Sequence, residues 1–421
     1  MSAPATGQTA EYILPLRWTD DADLPDLAAY LRRLIQWIPV TVVDGSAPDA
    51  FARHREVFPP AVRHLPPEAG STLGGNGKVV GVMTGVRAST ADLLVIADDD
   101  VRYTRESLAA VVHHLSSADV VRPQNYFDPL PWHAWWDTAR TLINRAWSAD
   151  FPGTLALRRD ALLGTDGYDG VLFENLELIR TIRAAGGREK VIPDLFVARR
   201  PPKARHFLNQ RVRQAYDDFA QPRRLAAELA LLPVIVAAAR LPSRRRVAAF
   251  LGLAAAPAVA AEVGRRRHRG AAVFPFRAVW FAPLWTLERA VCIWFALGHR
   301  LSGGVPYAGT RLRTAAHTDT ELRRRHQGKL GALRRQDPAP STSKPRAGAE
   351  MNQEPAESSI VVCPDGPLIV RGDFEIVTPS GDPVPRERKT VALCRCGASA
   401  IKPYCDGTHK MIKFRTEPPA S

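Results

Sequence analysis

Four side chains that bind transition metals lie within sixteen consecutive residues near the end of the chain. They are Cys394, Cys396, Cys405 and His409. Thiolates and an imidazole suit either a zinc ion or the two irons of an iron–sulfur cluster, and the ligand types alone leave both alternatives open. The chain has five cysteines, an odd number, and three of them are crowded beside a histidine. This pattern favours a metal site over a disulfide framework.

A second group of side chains that could do chemistry is acidic. Asp98, Asp99 and Asp100 directly follow the apolar run 93–97, and Asp44 ends another short apolar run. Carboxylates are the hard oxygen ligands that Mg²⁺ and Mn²⁺ prefer, and such an ion can bridge a diphosphate. Acidic turns are also common on protein surfaces, so the three aspartates alone predict a metal site only weakly.

The elements around these acids have the pattern of an α/β domain. From residue 11 to about residue 202, short apolar runs alternate with segments of helical spacing. This alternation predicts a doubly wound, mostly parallel sheet, in which ligands bind beyond the carboxyl ends of the strands. Asp44 and Asp98 both lie at predicted strand ends, and the glycine-rich segment 74–77 precedes a predicted helix at 79–86.

The next region, 223–335, is apolar and basic. It contains three apolar stretches, 225–239, 247–261 and 278–297. The first two are shorter than the roughly 20 residues of a comfortable membrane span, and the third contains Glu288 and Arg289. Basic residues flank both ends of the first two, which is awkward for simple spanning. The pattern predicts membrane-associated helices, spanning or interfacial, with a buried helical subdomain as the alternative.

The formal net charge of +14 favours an acidic partner. Its basic runs, 244–246 and 265–269, flank the apolar stretches, so an anionic membrane surface is favoured and no nucleic-acid partner is expected. Residues 1–11 lack the pattern of a signal peptide, and thiolate ligands favour a reducing compartment. The expected location is the cytoplasmic face of the cell membrane.

The C-terminal part begins after a predicted flexible linker, 336–359, which is rich in Pro, Ser, Ala, Glu and Lys. Three short strands are predicted beyond it, at 360–362, 368–370 and 374–377. The sequence 394–409 then resembles the CDGSH iron–sulfur domain, whose pattern C-x-C-x2-[ST]-x3-P-x-C-D-G-[SAT]-H it meets at every position, with Thr408 where serine is usual.

This resemblance covers about 360–416 and implies a small β-rich domain. It implies a [2Fe–2S] cluster with three Cys ligands and one His, used in electron or cluster transfer with a redox partner. It also implies pairing as a homodimer. With the full motif, the iron–sulfur alternative is favoured over zinc.

Residues 11–222 resemble a family-2 glycosyltransferase with a GT-A nucleotide-binding domain. The resemblance implies binding of a nucleotide-sugar donor with Mg²⁺ or Mn²⁺, and transfer to a lipid or polymer acceptor at the membrane. The positions that match donor-binding motifs are Asp44, Lys78, Asp98, Asp100 and Arg213. The segment 167–180 resembles the acceptor-side motif and places Glu174, Asn175 and Glu177 at the predicted catalytic positions.

Two residues depart from the family pattern. The catalytic base of the family is usually an aspartate, and here that position is Asn175, whose amide cannot accept a proton as a carboxylate does. Glu174 or Glu177 is the expected substitute. The tryptophan that follows Gln-x-x-Arg in the family is Gln214 here. The alternative function is therefore an iron–sulfur electron or cluster carrier whose transferase-like part is weakly active or serves only as a membrane anchor.

Overall fold

The computed structural model describes residues 8–69, 75–307, 309–327, 329–330, 359–363, 365–371, 376, 384, 390–412 and 414–416. The chain divides into two compact units, Met1–Ala339 and Pro340–Ser421. The predicted linker lies outside the described residues except for Ser359, which begins a strand, and so does nearly all of the strand predicted at 374–377.

The strands of the first unit are β1 (Ala10–Leu16), β2 (Val40–Asp44), β3 (Arg63–Leu65), β4 (Leu93–Ala97), β5 (Val101–Arg102), β6 (Val120–Phe127), β7 (Thr154–Arg158), β8 (Glu189–Arg199), β9 (Val305–Tyr307) and β10 (Thr310–Leu312). Its helices are α1 (Leu24–Leu34), α2 (Pro48–Val57), α3 (Gly77–Ala88), α4 (Arg105–His113), α5 (Trp132–Trp147), α6 (Arg159–Leu163), α7 (Glu174–Ala184), α8 (Ala204–Asn209), α9 (Arg211–Tyr216), α10 (Pro222–Ala239), α11 (Ser243–Arg266), α12 (Ala282–Leu301) and α13 (Asp319–His326). Four 3₁₀ helices connect them, at His114–Ser116, Asp217–Ala220, Arg267–Ala272 and Phe276–Phe281.

Within the described residues, eight strands form one sheet in the order β3-β2-β1-β4-β7-β6-β8-β5. The predicted α/β class is confirmed, and the sheet is mixed, with four parallel and three antiparallel strand pairs among these eight strands. β1, β2, β3 and β4 run parallel, whereas β7 is antiparallel to both β4 and β6, and β5 is antiparallel to β8. The prediction of a mostly parallel sheet did not include these antiparallel strands, because strand–helix alternation in the sequence does not report the direction of β7 and β5.

Both faces of the central strands are covered. Alternate residues of β1 and β4 enter two separate cores: Tyr12 and Val95 lie in the core shared with α1, and Ile13 and Leu94 lie in the core shared with α3. Because side chains alternate across a strand, burial on both faces requires the continuous apolar runs that the sequence has. The parallel register Leu16↔Asp44 and Ile13↔Ile96 brings the carboxyl ends of β1, β2 and β4 to one edge of the sheet.

The apolar region folds into α10, α11 and α12. The packed side of α12 contains charged residues among apolar ones: Arg289 pairs with Asp218 at 3.2 Å, and Glu288 Oε2 accepts a hydrogen bond from Trp136 Nε1 at 2.6 Å. Its exposed side is apolar. The exposed large apolar residues of the three helices and the adjoining 3₁₀ segment, here called the apolar surface, are Val234, Val236, Val247, Phe250, Leu251, Val259, Val263, Phe276, Trp280, Leu284, Leu287, Val291, Trp294, Phe295 and Leu301.

The C-terminal end of α11 is fixed to the rest of the unit. Arg145 of α5 is buried and donates to the carbonyl oxygens of Gly264, Arg267 and His268 at 3.3, 2.8 and 3.4 Å. A Cβ at Gly264 would lie 1.8 Å from the Leu142 carbonyl oxygen, so only glycine permits this contact between α11 and α5. A guanidinium also complements the negative end of the helix dipole.

One segment of the described chain, Ser243–Ala272, is long and apolar enough to cross a membrane by length and composition. It comprises α11 and the 3₁₀ segment that follows, where His268 and Arg269 have positive φ and bend the chain. The two other predicted apolar stretches do not meet that criterion among the described residues.

The second unit contains a three-stranded antiparallel sheet, β11 (Ser359–Val362), β12 (Leu368–Arg371) and β13 (Thr390–Leu393), followed by the short helix α14 (Thr408–Met411). The sequence predicted β11 and β12, whereas β13, which leads directly into Cys394, was not predicted.

Candidate functional site

The three aspartates lie where β4 ends, and α3 supplies a cation to them. Asn76 caps α3 by accepting the backbone N–H of Lys78, which directs the Lys78 side chain to the aspartates. Lys78 Nζ lies 2.5 Å from Asp98 Oδ1 and 2.6 Å from Glu174 Oε1. Burial lowers the pKa of Lys78, but the two carboxylates outweigh that effect and hold it above its ordinary value.

A second cation at this site is Arg199, the last residue of β8, which sequence reasoning missed. Its Nε donates to Asp100 Oδ2 at 2.7 Å, and its Nη2 lies 3.3 Å from Asp98 Oδ2. Asp99 accepts a hydrogen bond from Trp18 Nε1. The acidic site therefore gathers Asp98, Asp100, Glu174, Lys78 and Arg199 from four different elements.

One carboxylate oxygen of the acidic site, on Asp100, differs from the others. Asp100 Oδ1 is buried and has no hydrogen-bond partner among the described residues. Burial raises the pKa of Asp100 to about 6; Arg199 opposes the shift, and the neighbouring Asp98 and Asp99 add to it. A buried carboxylate oxygen without a partner is unfavourable unless a ligand completes it. Together with Asp98, this oxygen fits a divalent cation that prefers oxygen ligands.

Asp44 lies at the same edge of the sheet but is already fully bonded. Its Oδ2 accepts from His54 Nδ1 at 2.6 Å and from His64 Nε2 at 3.1 Å, and its Oδ1 accepts from the Ser46 N–H at 2.9 Å. Burial raises the pKa of Asp44, but these hydrogen bonds outweigh it and keep the pKa below its ordinary value. The two histidines were not identified from the sequence.

The three predicted catalytic residues at the start of α7 have different surroundings. Glu174 faces the acidic site through Lys78. Asn175 is next to it, but its Nδ2 donates to the Pro152 carbonyl oxygen at 3.0 Å. Glu177, one turn further along α7, is fully buried, and its two oxygens accept from the His317 backbone N–H and Nδ1 at 2.8 and 2.7 Å. Only Glu174 is thus joined to the acidic site.

A separate charged cluster, here called the clasp, lies outside the acidic site and consists of Asp169, Glu177, His317 and Arg325. Donor atoms of Asp169, Glu177 and His317 lie within 4.8 Å of one another, a spacing that an ion could bridge. Arg325 already lies 2.7 Å from Asp169, which reduces the negative charge available to a cation. The hydrogen bond to Glu177 raises the pKa of His317, against burial. This clasp attaches the segment before α13 to α7, which also carries Glu174.

Arg213 of α9 lies over the ring of Tyr307, with its Cζ 4.6 Å from the ring centroid. The Tyr307 hydroxyl donates to Asn76 Oδ1 at 3.1 Å, so the α3 cap and this stack are adjacent. Asp217, which begins the following 3₁₀ helix, has a buried Oδ1 without a partner among the described residues, and burial raises its pKa to about 8. A carboxyl group with that pKa is mostly protonated at neutral pH and is a poor base.

The four metal-binding side chains of the second unit form two pairs. Cys394 Sγ and Cys396 Sγ are 3.7 Å apart, and Cys405 Sγ and His409 Nδ1 are 3.3 Å apart. The Cys394 N–H donates to the Pro403 carbonyl oxygen and the Cys405 N–H to the Ala392 carbonyl oxygen, both at 2.8 Å. These bonds fix the two cysteine-bearing segments side by side.

The turn between Cys405 and His409 is stabilised by Asp406. Its carboxylate accepts the backbone N–H groups of Ala400 at 2.8 Å and Thr408 at 3.0 Å, and these hydrogen bonds, led by that of Ala400, lower its pKa. Gly407 has φ of +90°, a conformation that favours glycine. The Asp-Gly step therefore turns the chain so that α14 presents His409 to Cys405.

The spacing of the pairs bears on which metal they suit. Four ligands around one zinc ion lie about 3–4 Å from one another, given Zn–S distances of about 2.3 Å. In the part of the chain that the structure describes, the only set of three such donor atoms within 4.8 Å of one another is Asp169, Glu177 and His317. The cysteine and histidine donors form two close pairs, at 3.7 and 3.3 Å, and each pair can serve one iron of a two-iron cluster.

Comparisons with known proteins found one family match and several distant structural similarities. Residues 365–410 match the family model described as "Iron-binding zinc finger CDGSH type". No curated protein matches the chain. Among solved structures, a mannosyltransferase from Pyrobaculum calidifontis in complex with GDP-Man and Mn²⁺ is 18% identical with a TM-score of 0.39, covering 70% of this chain and 89% of that one.

Glucosyl-3-phosphoglycerate synthase from Mycobacterium tuberculosis, in complex with Mn²⁺, UDP and glucosyl-3-phosphoglycerate, is 16% identical with a TM-score of 0.35, covering 48% of this chain and 75% of that one. The match at 365–410 includes all four of the paired metal-binding side chains. The C-terminal segment is therefore a CDGSH-type iron-binding domain, as its motif predicted.

Proposed function

We propose that the first unit is a glycosyltransferase that uses a nucleotide-sugar donor and a divalent cation. The observation that carries this proposal is the acidic site at the end of β4, where Asp100 Oδ1 is buried without a partner among the described residues and Asp98 lies beside it. The position beyond the carboxyl ends of parallel strands is where sheets of this class bind ligands.

The residues of the site have distinct roles in this proposal. Asp98 and Asp100 would hold Mg²⁺ or Mn²⁺, which would supply charge neutralisation for a diphosphate leaving group. Lys78 and Arg213 offset further phosphate charge. Asp44, whose oxygens are occupied by His54, His64 and Ser46, supports the nucleotide-binding edge through its position at the end of β2. These side chains position the donor. None of them accepts the proton of the acceptor hydroxyl, so a separate base is required.

Glu174 is the proposed base. Among the three predicted catalytic residues, Asn175 is an amide bonded to Pro152, and both oxygens of Glu177 accept from His317. Glu174 is partly exposed, lies 2.6 Å from Lys78 in the acidic site, and is the one of the three with a carboxylate directed to that site.

The experiment that tests this function is turnover of a panel of UDP- and GDP-sugars, with and without Mn²⁺. Asp100→Asn should reduce Mn²⁺-dependent turnover by about 100-fold or more, as the loss of a main electrostatic group at a reacting site does. Glu56→Gln is the control, because Glu56 is an exposed carboxylate on α2. Turnover that is absent in the unmodified protein, or equal in Asp100→Asn, would contradict the proposal.

The proposed location of this enzyme is the cytoplasmic face of the cell membrane, with the apolar surface seated in the bilayer interface and a lipid or polymer as acceptor. The exposed apolar residues of α11 and α12 support this, as does the run Arg244–Arg246 in the first turn of α11. Three cations at a helix N-terminus oppose the helix dipole, so an external anion such as a lipid headgroup gives them a favourable partner.

Membrane binding is testable by flotation with vesicles of phosphatidylcholine, with or without phosphatidylglycerol. Replacing Phe250 and Leu251 by Ser should abolish flotation, and replacing the three arginines by Gln should remove the preference for phosphatidylglycerol. Val57→Ser is the matched control, because Val57 is exposed on α2, away from the apolar surface. Unchanged flotation of the Phe250/Leu251 variant would refute the assignment of the surface.

We also propose that the second unit carries a [2Fe–2S] cluster used in electron or cluster transfer to a redox partner. The carrying observation is the arrangement of the donors as two pairs, 3.7 and 3.3 Å within each pair. Iron and sulfide analysis of the purified protein, with its visible spectrum, tests this assignment. A colourless protein that contains only zinc contradicts it. Pairing of this unit as a homodimer remains a prediction from the resemblance.

A second candidate function is an iron–sulfur carrier whose first unit only anchors it. The observation that favours it is Asn175, an amide where the resembling family has its base, held by Pro152. The two candidates differ in the sugar-nucleotide assay above, since an anchor turns over no donor while keeping the cluster spectrum.

A further inference from the structure

Arg199 occupies the same carboxylates that the proposed cation needs. Its guanidinium contacts Asp100 Oδ2 at 2.7 Å and Asp98 Oδ2 at 3.3 Å. Two N–H groups of one guanidinium directed at two carboxylates form a strong charge-assisted interaction. A divalent cation that binds both aspartates must therefore compete with Arg199.

Two backbone hydrogen bonds hold the chain next to this contact, and the Arg199 side chain is partly exposed. Asp128 N–H donates to the Arg199 carbonyl oxygen at 3.0 Å, and Arg200 N–H donates to the Asp100 carbonyl oxygen at 2.7 Å. A Cβ at Gly153 would lie 2.7 Å from Asp98 Oδ2 and 3.0 Å from Arg199 Cζ, so the glycine admits this contact. The Arg199 side chain is 29% exposed, which gives its guanidinium a path away from the aspartates.

The acidic site has more carboxyl groups than cationic side chains, which leaves room for a further cation. Three carboxyl groups, those of Asp98, Asp100 and Glu174, contact two cationic side chains, Lys78 and Arg199. A guanidinium that leaves the aspartates without a new anion loses two charge-assisted contacts, which is costly in a partly buried site. A diphosphate bound next to the aspartates offers it such an anion.

We propose that Arg199 is a built-in counter-cation that competes with the divalent cation for Asp98 and Asp100 and moves to the diphosphate of the donor when the cation binds. This inference rests on the proposed transferase function. Its consequence is that cation and nucleotide bind cooperatively. The cation releases Arg199 from the aspartates for the diphosphate, and the diphosphate gives the released Arg199 a new anion. By thermodynamic linkage, the nucleotide must raise the affinity for the cation by the same factor as the cation raises the affinity for the nucleotide.

The experiment measures Mn²⁺ binding to the full chain by the loss of the free Mn²⁺ electron paramagnetic resonance signal, alone and with UDP or GDP. A protein-free titration corrects for Mn²⁺ held by the nucleotide. The unmodified protein should bind Mn²⁺ about tenfold more tightly with nucleotide, within the range of ordinary coupling between sites. Arg199→Gln should bind Mn²⁺ about tenfold more tightly without nucleotide, and the nucleotide should then add little.

Two variants keep the test falsifiable if Arg199→Gln is unstable. Arg199→Lys retains one charge without the two-pronged contact and should give intermediate values. Arg200→Gln removes the neighbouring charge, which pairs with Asp26 instead, and should match the unmodified protein. Weaker or unchanged Mn²⁺ binding by folded Arg199→Gln and Arg199→Lys overturns the inference and leaves the transferase proposal standing. No Mn²⁺ binding by the unmodified protein under any condition overturns both.

Discussion

The acidic site of the first unit takes its side chains from β4, α3, α7 and β8, whereas the paired ligands of the second unit come from sixteen consecutive residues. Lys78 and Glu174 meet across 96 positions of the chain, and Arg199 and Asp100 across 99. Cys405 and His409 meet across four. The first site depends on the whole sheet being assembled, and the second depends mainly on one turn.

This contrast predicts how each site responds to a single substitution. A site built by one turn loses its function when one ligand is removed, with little effect elsewhere. A site built by a fold contains residues that serve several neighbours at once, so substitutions there affect stability and function together. The following predictions test this difference, from the largest expected effect to the smallest.

Cys405→Ser is expected to remove the cluster completely. The hydroxyl does not replace the thiolate as an iron ligand, and the pair with His409 at 3.3 Å is broken. The visible absorbance should disappear while the melting temperature of the first unit stays unchanged. Cys363→Ser is the matched control in the same unit, because Cys363 lies outside the motif, and it should keep full absorbance. Equal absorbance in the two variants would falsify the ligand assignment.

His409→Cys is expected to make the cluster more resistant to acid. An imidazole must be unprotonated to bind iron, so falling pH removes it from the metal before it removes a thiolate. The visible absorbance of the unmodified protein should decay in mild acid, and that of His409→Cys should persist under the same conditions. The same decay rate in both proteins at each pH would mean that another group sets the lability.

For Asn175→Asp, the family resemblance and the structure predict opposite effects on turnover. If the position only lacks its base, aspartate should raise turnover. The structure predicts the opposite, because a carboxylate loses the hydrogen bond from Nδ2 and faces the Pro152 carbonyl oxygen. The expected cost is about 1–3 kcal/mol in the free energy of unfolding, without a gain in turnover.

The comparison for this variant is Asn209→Asp, at an exposed position of α8, which should change the stability little. Denaturant unfolding gives the free energies, and the sugar-nucleotide assay gives the turnover. A rise in turnover for Asn175→Asp would assign the base to this position and remove Glu174 from that role.

His317→Asn is expected to have the smallest effect, and one that depends on pH. The hydrogen bond to Glu177 raises the pKa of His317 in the folded protein. The stabilisation by protonated His317 is therefore complete below its unfolded pKa of about 6.5 and is lost as the pH rises through the folded pKa. Asn keeps a donor close to the position of Nδ1 but carries no charge.

The melting temperature measured from pH 5.5 to 9 checks this prediction. The difference between the unmodified protein and His317→Asn should be largest at low pH and shrink as the pH rises. His113→Asn, at an exposed position of α4, should show no such trend. A difference that grows with pH would show that the clasp does not depend on the charge of His317.

How much of each site the sequence predicted follows from the same contrast. The cluster ligands were found together because their geometry depends on local features, the turn at Asp406 and Gly407 above all. The acidic site was found only in part: Asp98, Asp100 and Lys78 lie at a strand end and a helix start, which leave local signals. Arg199 has no such local signal in the sequence, because its position beside Asp100 depends on the pairing of β8 with β5 and β6.

Other residues were missed for a similar reason. His54 and His64 reach Asp44 from α2 and β3, and His317 reaches Glu177 from a segment 140 residues away. The mixed direction of the sheet was missed because apolar runs give the presence of a strand but not its orientation. The apolar stretches were recognised, whereas the charged residues of α12 became meaningful only when Asp218 and Trp136 were placed against them.

The hold of Arg145 on the end of α11 has a mechanical consequence. The C-terminal end of α11 is held by the hydrogen bonds from Arg145 and by the close contact of Gly264 with Leu142. The 24 residues of α11 extend about 36 Å from there. A displacement of the N-terminal end of α11, near Arg244, is therefore transmitted to α5. Arg145 of α5 also contacts Gln124 of the sheet. Under the proposed membrane association, the depth of α11 in the lipid layer therefore sets the distance of the sheet from that layer.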